Sequence, residues 1–325
     1  MNTPNSLEKK INQKGETHSP FFLFVDFEMK QPLLVEPENL SQQNIFIDFP
    51  AFSNLSHPLS NNDFISIKSK TPIQRSLYQK GFDVVKKNLM YGNSFLTNYT
   101  CETEIEILHS LYSIFENAHA KYKIFFKDEW VCFSPETFIK IEGNEIFSFP
   151  MKGTINAAIP NAETIILNDE KEKAEHYTIV DLIRNDLSMV STNVVVENFR
   201  FIDKIETQNG ALLQVSSKIK GILSKDFYSH LGEILFELLP AGSISGAPKN
   251  KTIEIIHQAE NYQRGFYTGV AFYFDGYQID SCVLIRFIEK KGKQLFYKSG
   301  GGITIHSILE KEYQEMIDKI YVPIH

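Results

Sequence analysis

The sequence predicts a globular chain in which β-hairpins and helices share a large core, and three observations carry that reading. Short aromatic and β-branched runs bounded by Pro, Asn and Gly recur along the chain, some close enough to pair as hairpins. Apolar residues recur at helical spacing from Pro72 to Tyr91, from Asp169 to Asp186 and from Ser307 to Ile320. With 325 residues, 42% of them hydrophobic, the chain can bury the core of one large domain or of two ordinary ones.

Charge and cysteine usage narrow the class. A net charge of −7 offers no basic face for nucleic acid or an anionic membrane, so neither partner is expected. No apolar run approaches membrane-spanning length and Met1 to Pro20 lacks an apolar signal core, so the expected compartment is the cytoplasm. Cys101, Cys132 and Cys282 are odd in number and far apart, which fits reduced core residues rather than a disulfide framework or a zinc site.

In chain order, Met1 to Pro20 reads as a frayed polar leader, and Phe21 to Phe27 and Asn44 to Phe49 read as strands. Ser53 to Asp63, rich in Ser, Asn, His and Pro, is the expected hinge between a short strand-rich portion, residues 1–70, and the rest of the chain, 71–325. A helix follows on Ile73, Leu77, Phe82, Val85 and Leu89, stopped by Gly92. Ser94 to Ile107 is a strand leading into a helix near Leu108 to Ala118. Lys123 to Phe133 with Phe138 to Glu142 forms an expected hairpin, and Glu145 to Phe149 runs up to a lysine motif. Further on come strands at Val194 to Ile202 and Ala211 to Ile219, a helix at Phe227 to Leu239, and a second hairpin, Phe266 to Phe274 with Ser281 to Ile288.

Chemistry concentrates in a few stretches. In Pro150-Met151-Lys152-Gly153-Thr154 a lysine stands between a residue that fixes the backbone and one that lets it turn, so its amine is delivered from a defined position. Taken alone, a lysine after a strand is ordinarily a solvated charge; the company of other polar clusters lifts this one. Glu136, in Ser134-Pro135-Glu136, reads locally as an exposed turn residue, but facing Lys152 in a closed pocket it would be an acid beside a nucleophilic amine.

Asn168 or Asp169 can cap a helix that puts Glu172, Glu175, Ile179, Leu182, Ile183 and Asp186 on one stripe, two carboxylates opening a stripe that turns apolar. Near the C-terminus, Ser307 with Glu310 resembles a capping box, and its helix sets Glu312, Glu315 and Lys319 beside a core stripe of Tyr313, Met316, Ile317 and Ile320. Glutamate pairs are common on solvated helix faces; as ligands from two elements, with no His or Cys among them, they point to Mg²⁺ more than to zinc or copper. The turn Pro240 to Lys249 opens a helix but lacks P-loop spacing and is no evidence for ATP. Gly300-Gly301-Gly302 either forms a tight turn or exposes successive N–H groups to a carboxylate or phosphate, and Arg286, in an apolar strand, calls for an anionic partner.

Together these stretches resemble the chorismate-utilising enzymes, most closely component I of aminodeoxychorismate synthase, over about Gly92 to Pro323. The matching segments are GNSFLTNYT from Gly92, Ser134 to Glu136, PMKGT from Pro150, AEHYTIVDLIRNDL from Ala174, PAGSISGAPK from Pro240, RGFYTG from Arg264, Ile285-Arg286, and GGGI with EKEYQE between Gly300 and Glu315. The resemblance implies an α+β fold of two large packed antiparallel sheets flanked by helices, with the active site between them. It implies that Glu175 and Glu315 hold Mg²⁺, supported by Glu172 and Glu312. Arg286, Lys319 and the backbone at Gly300, Gly301 and Gly302 would bind the carboxylates of chorismate, with Ser243, Tyr267 and Thr154 completing the substrate set.

Lys152 marks the branch, since anthranilate-forming relatives usually carry alanine there, while water-adding relatives carry an activating lysine where this chain has Leu96. The implied reaction converts chorismate and ammonia to 4-amino-4-deoxychorismate, a p-aminobenzoate and folate precursor, with Lys152 as nucleophile and Glu136 as acid. Nearby Arg and Lys charges and burial are expected to lower the pKa of that amine. No nucleophilic Cys stands in a Gly-rich elbow, so the ammonia is expected from a separate glutamine amidotransferase subunit. Anthranilate synthase component I and a non-catalytic chorismate-binding subunit are the alternatives. Leu213, Thr137 and Phe287 depart from the usual histidine, arginine and threonine, two of them expected to alter the pocket wall, and the tryptophan-binding motif is not recognisable, so feedback by tryptophan is not expected.

Overall fold

The computed structural model describes residues 4–55, 65–207 and 210–324, so most of the expected hinge, 56–63, lies outside the described residues. Two nine-stranded antiparallel sheets stack face to face. The first contains β1 (Phe21–Val25), β2 (Leu33–Val35), β9 (Thr137–Glu142), β10 (Glu145–Ser148), β11 (Met151–Asn156), β12 (Thr192–Thr207), β13 (Gly210–Ile222), β15 (Val270–Phe274) and β16 (Ile279–Val283). The second contains β3 (Ile45–Phe49), β4 (Phe52–Ser53), β5 (Ser69–Thr71), β6 (Leu96–Glu106), β7 (Tyr122–Phe126), β8 (Trp130–Ser134), β14 (Gly246–Ala247), β17 (Phe287–Lys291) and β18 (Gln294–Ile303).

Helices cover the outer faces: α1 (Pro4–Glu16), α2 (Arg75–Met90), α3 (Leu111–Asn117), α4 (Ala162–Asn168), α5 (Glu170–Val190), α6 (Leu231–Glu237), α7 (Gly242–Ser245), α8 (Lys249–Ala259) and α9 (Leu309–Asp318). The layering explains why β1 reads as an unbroken apolar run. Phe21, Leu23 and Val25 point to a core shared with α1, α5 and α6, while Phe22 and Phe24 point to a core between the sheets, against Ile45, Ile47 and Tyr122. The three cysteines are free and buried, and no described helix is long and apolar enough to cross a membrane.

Several elements differ from the sequence reading. Met1 to Pro20 holds a helix, α1, because Leu7 and Ile11, one turn apart, dock on the core with at most 1% exposure. Lys123 to Phe133 is itself a hairpin, β7 with β8, turned by Lys127 and Asp128 at φ +52° and +58°. Phe138 to Glu142 pairs instead with β10 in the other sheet. Similarly β15 pairs with β16 and stops at Val283, after which the chain leaves for β17 in the second sheet.

Both departures are the same event. Pro135 and Glu136 cross from β8 to β9, and 284–286 cross from β16 to β17, so the chain changes sheets twice at neighbouring points. The crossings are laced together: Val283 N–H donates to the Glu136 carbonyl at 3.2 Å, and Phe133 N–H donates to the Arg286 carbonyl at 3.1 Å. Glu136 and Arg286 are thereby set side by side at the seam between the sheets.

Candidate active site

At that seam opens a cleft of about 910 Å³, and every residue singled out as catalytic, substrate-binding or metal-binding lines it: Lys152, Glu136, Arg286, Gly300, Gly301, Gly302, Lys319, Ser243, Tyr267, Thr154, Glu172, Glu175, Glu312 and Glu315. Leu213, Thr137 and Phe287 do not line it. Thr137 Oγ1 accepts from Lys121 Nζ at 2.7 Å, and Phe287 stacks on Trp130, so the departures at Thr137 and Phe287 leave the pocket wall intact.

Lys152 enters from β11. Gly153, at φ +77°, forms a bulge against β13, the register slipping between Lys152 and Thr154, and this kink turns the amine inward. Its Nζ lies 2.8 Å from Glu175 Oε2, and that carboxylate is only 7% exposed. Asp169 caps α5 by accepting from Glu172 N–H at 3.0 Å, which starts the helix one turn ahead of Glu175; Ile179 and Ile183 below it anchor the stripe in the core. A Cβ at Gly153 would sit 3.2 Å from Glu172 Oε2, so the glycine also makes room for that carboxylate.

Burial alone would depress the Lys152 amine, but Glu175, helped by Glu172 and Glu315, outweighs it and holds the pKa above the ordinary lysine value. The expectation of a lowered pKa is therefore reversed: the nearest charges are carboxylates, not Arg and Lys.

Glu136 is governed by burial, which pushes its carboxyl above the usual carboxylate range against the opposing pull of a Ser243 hydrogen bond and of Lys152, Arg286 and Lys319. Ser243 Oγ donates to Glu136 Oε1 at 2.6 Å. The turn carrying Ser243 is pinned to α5 by a buried pair, Lys249 Nζ to Asp186 Oδ1 at 3.0 Å, which gives the Pro240 to Lys249 motif a positioning task.

The opposite wall comes from β18 and α9. Lys319 Nζ lies 2.6 Å from Glu315 Oε1 and donates to the Gly300 carbonyl at 2.8 Å. A Cβ at Gly301 would come within 3.2 Å of Glu315 Oε1, and one at Gly302 within 3.5 Å of Lys152 Nζ and 2.9 Å of Leu96 Cδ1, so side chains there would obstruct the cleft. Ser307 and Glu310 form no capping box: Ser307 Oγ accepts from Thr304 N–H at 3.1 Å within its own turn, Ile308 is the N-cap without a side-chain bond, and Glu310 pairs with Arg75 at the surface. Arg286, at φ +55°, presents its guanidinium to the cleft beside the Tyr321 ring, 5.2 Å away, and its Nε has no hydrogen-bond partner among the described residues.

Glutamates from two helices thus share one cavity. Among the described residues no three His, Cys, Asp or Glu side chains converge on a point.

Sequence reasoning missed Asn98, Gln214 and Lys298, which also line the cleft. Lys298 is 1% exposed and reaches Glu289 at 3.0 Å and the Arg264 carbonyl at 2.9 Å. Arg264, equally buried, is fully engaged: it pairs with Glu260 through Nε and NH2, and donates to the carbonyls of Ile244 and Asn98 and to Thr268 Oγ1. Charged and amide side chains in otherwise apolar or Thr-rich runs were the available signal.

A two-sheet stack whose seam gathers cations, carboxylates and a lysine amine forms a polar candidate active-site cleft. Over residues 10–325 the chain matches the model of the chorismate binding enzyme family, and it belongs to that family. It is 48% identical over 316 residues, 97% of this chain and 98% of the relative, to an uncharacterized PabA-like protein of Pasteurella multocida (strain Pm70). It is 30% identical over 266 residues, 77% of this chain and 55% of the relative, to aminodeoxychorismate synthase component 1 of Bacillus subtilis (strain 168). The fold is that of the menaquinone-specific isochorismate synthase of Escherichia coli, with a TM-score of 0.75 over 98% of this chain and 81% of that one at 16% identity.

Proposed function

We propose that the chain is the chorismate-aminating component of an aminodeoxychorismate synthase, forming 4-amino-4-deoxychorismate from chorismate and ammonia. The observation that carries this reading is the Lys152 amine, delivered by a bulge into the same cleft as a half-buried, hydrogen-bonded acid, Glu136. In this reading Arg286 and Lys319 bind the two carboxylates of chorismate and orient the ring, and Leu96 keeps the wall beside the lysine apolar, away from water.

Lys152 Nζ, in the neutral form it takes after losing a proton to solvent, forms a bond to ring carbon 2; the double bond shifts, the C4–O bond breaks, and Glu136 supplies the proton with which hydroxide leaves as water. Ammonia then bonds to carbon 4, the C2–Nζ bond breaks to return the lysine, and the surplus ammonia proton returns to Glu136. The sum is chorismate plus ammonia to aminodeoxychorismate plus water. Glu175 and Glu315, with Glu172 and Glu312 beside them, would hold Mg²⁺, which when bound draws electron density from the ring through a substrate carboxylate.

The test is product analysis. Pure protein incubated with chorismate, Mg²⁺ and ammonium should yield a 4-amino product by mass and chromatography, and glutamine alone should not replace ammonium unless an amidotransferase subunit is added. Anthranilate with release of pyruvate, or no turnover with intact chorismate binding, would overturn the reading.

A further inference from the structure

Resting on that reading, we propose that Asn98 forms the docking point for the incoming ammonia. A nitrogen nucleophile needs a hydrogen-bond acceptor that takes one N–H and leaves the lone pair free. A carboxylate holds ammonia as unreactive ammonium, and an ammonium or guanidinium group occupies the lone pair itself. The cleft is crowded with both kinds of charge, so the fitting partner is one of its neutral polar side chains.

Several of these are already committed. Ser243 donates to Glu136, Thr268 donates to the Tyr267 carbonyl and accepts from Arg264, and Gln214, on β13 opposite Thr154, donates its Nε2 to Ser216 Oγ at 3.4 Å. Asn98 is different. Its side-chain amide makes no hydrogen bond among the described residues, and Oδ1 is buried without a partner. Leaving such an acceptor unsatisfied is costly, so in the open cleft water or a ligand must complete it.

Its placement fits. Asn98 stands directly opposite Gly302 across the β6–β18 ladder, and residues opposite one another project to the same face. From Gly302 that face leads to Leu96, 2.9 Å from a Cβ placed there, and to Lys152 Nζ at 3.5 Å. The Asn98 carbonyl accepts from Arg264 NH2 at 2.7 Å, and the same guanidinium holds the Ile244 carbonyl, next to Ser243. One buried cation therefore ties the backbone of Asn98 to the turn that orients Glu136, where the C4–O bond breaks. Leu96 excludes water two residues away, and Asn98 offers the polar contact beside it.

The experiment compares Asn98→Val with Asn98→Thr, near-isosteric residues suited to a strand that differ in a hydroxyl acceptor. KM for ammonium at saturating chorismate, and Kd for chorismate by calorimetry, are measured in each. The inference expects Asn98→Val to raise the ammonium KM about fivefold or more with chorismate Kd unchanged, and Asn98→Thr to recover part of the loss. An unchanged ammonium KM in Asn98→Val, or a loss confined to chorismate affinity, overturns it. Should neither variant fold, a wild-type ammonium KM in Asn98→Ala, which keeps no acceptor, would contradict the inference and a raised one would support it. Absence of any aminated product from the wild type would instead defeat the functional reading.

Discussion

Two lysine–glutamate pairs face into the same cleft, Lys152 with Glu175 at 2.8 Å and Lys319 with Glu315 at 2.6 Å, yet their amines are driven in opposite directions. Burial depresses both. For Lys152, Glu175 together with Glu172 and Glu315 more than reverses the effect, and the pKa rises. For Lys319, Glu315 pulls back only part of the effect, because Arg286 and Lys152 add like charge, and the pKa falls. Burial and a nearby carboxylate are common to both; the second ring of charges decides the sign. Lys319 sits in a cationic corner, which on the proposed reading holds a substrate carboxylate, whereas Lys152 sits in an anionic corner that retains its proton.

The hardest way to break the comparison is to remove each amine. Lys152→Ala should lower kcat for aminodeoxychorismate formation by roughly a thousandfold or more while chorismate Kd moves little, as for a lost nucleophile. Lys319→Ala should do the reverse, raising KM for chorismate about 10- to 100-fold, the weight of one charge-assisted contact, with a smaller effect on kcat. Steady-state kinetics with calorimetry separates the two; equal profiles for both variants would erase the distinction.

Removing the carboxylates sharpens it further. Glu175→Gln and Glu315→Gln should each weaken the Mg²⁺ requirement and chorismate binding together, by roughly 10-fold or more, the first acting more on kcat and the second more on KM. Glu310→Gln, at an exposed carboxylate on the cleft rim that pairs with Arg75, should leave Mg²⁺ titrations as in the wild type.

A smaller effect is expected in the pH profile. On the proposed mechanism, activity needs Glu136 protonated and Lys152 neutral. With the amine pKa above that of the acid, the product of those two fractions climbs from the acid side, levels off past the pKa of Glu136, and falls past that of Lys152. The acidic limb therefore reports Glu136, displaced upward by burial. Since the Ser243 hydrogen bond lowers that pKa, Ser243→Ala should move the limb further up. A downward move would mean that the limb belongs to another group.

Much of this cleft was legible because its chemistry sits in short stretches whose residue types are costly to bury unpaired: a lysine between Pro150 and Gly153, Arg286 in an apolar strand, glutamates opening apolar helix stripes. What stayed hidden was non-local. No residue in Ser134-Pro135-Glu136 announces a change of sheet, and the β7–β8 turn at Lys127 and Asp128 carries no glycine to mark it, so the two hairpins merged in the reading. Helix α1 shows only Leu7 and Ile11 as fully docked apolar anchors in a polar stretch, a pattern decided by the packing partner rather than by local preference. The direction of the Lys152 pKa depended on which charges the fold brings nearest, and Asn98 became visible only once its amide was seen without a partner.

The central claim is that Lys152 bonds to the substrate ring, and intact-protein mass spectrometry tests it most directly. Chorismate and Mg²⁺ are added without ammonium, the reaction is quenched within the first turnovers, and the adduct is mapped by peptide digestion. The account predicts a mass increase of one chorismate less one water on the peptide containing Lys152, absent in Lys152→Ala and discharged when ammonium is added before the quench. An enzyme that aminates chorismate at full rate with no such adduct at any quench time, or a Lys152→Ala variant that still makes aminodeoxychorismate at the wild-type rate, would contradict it.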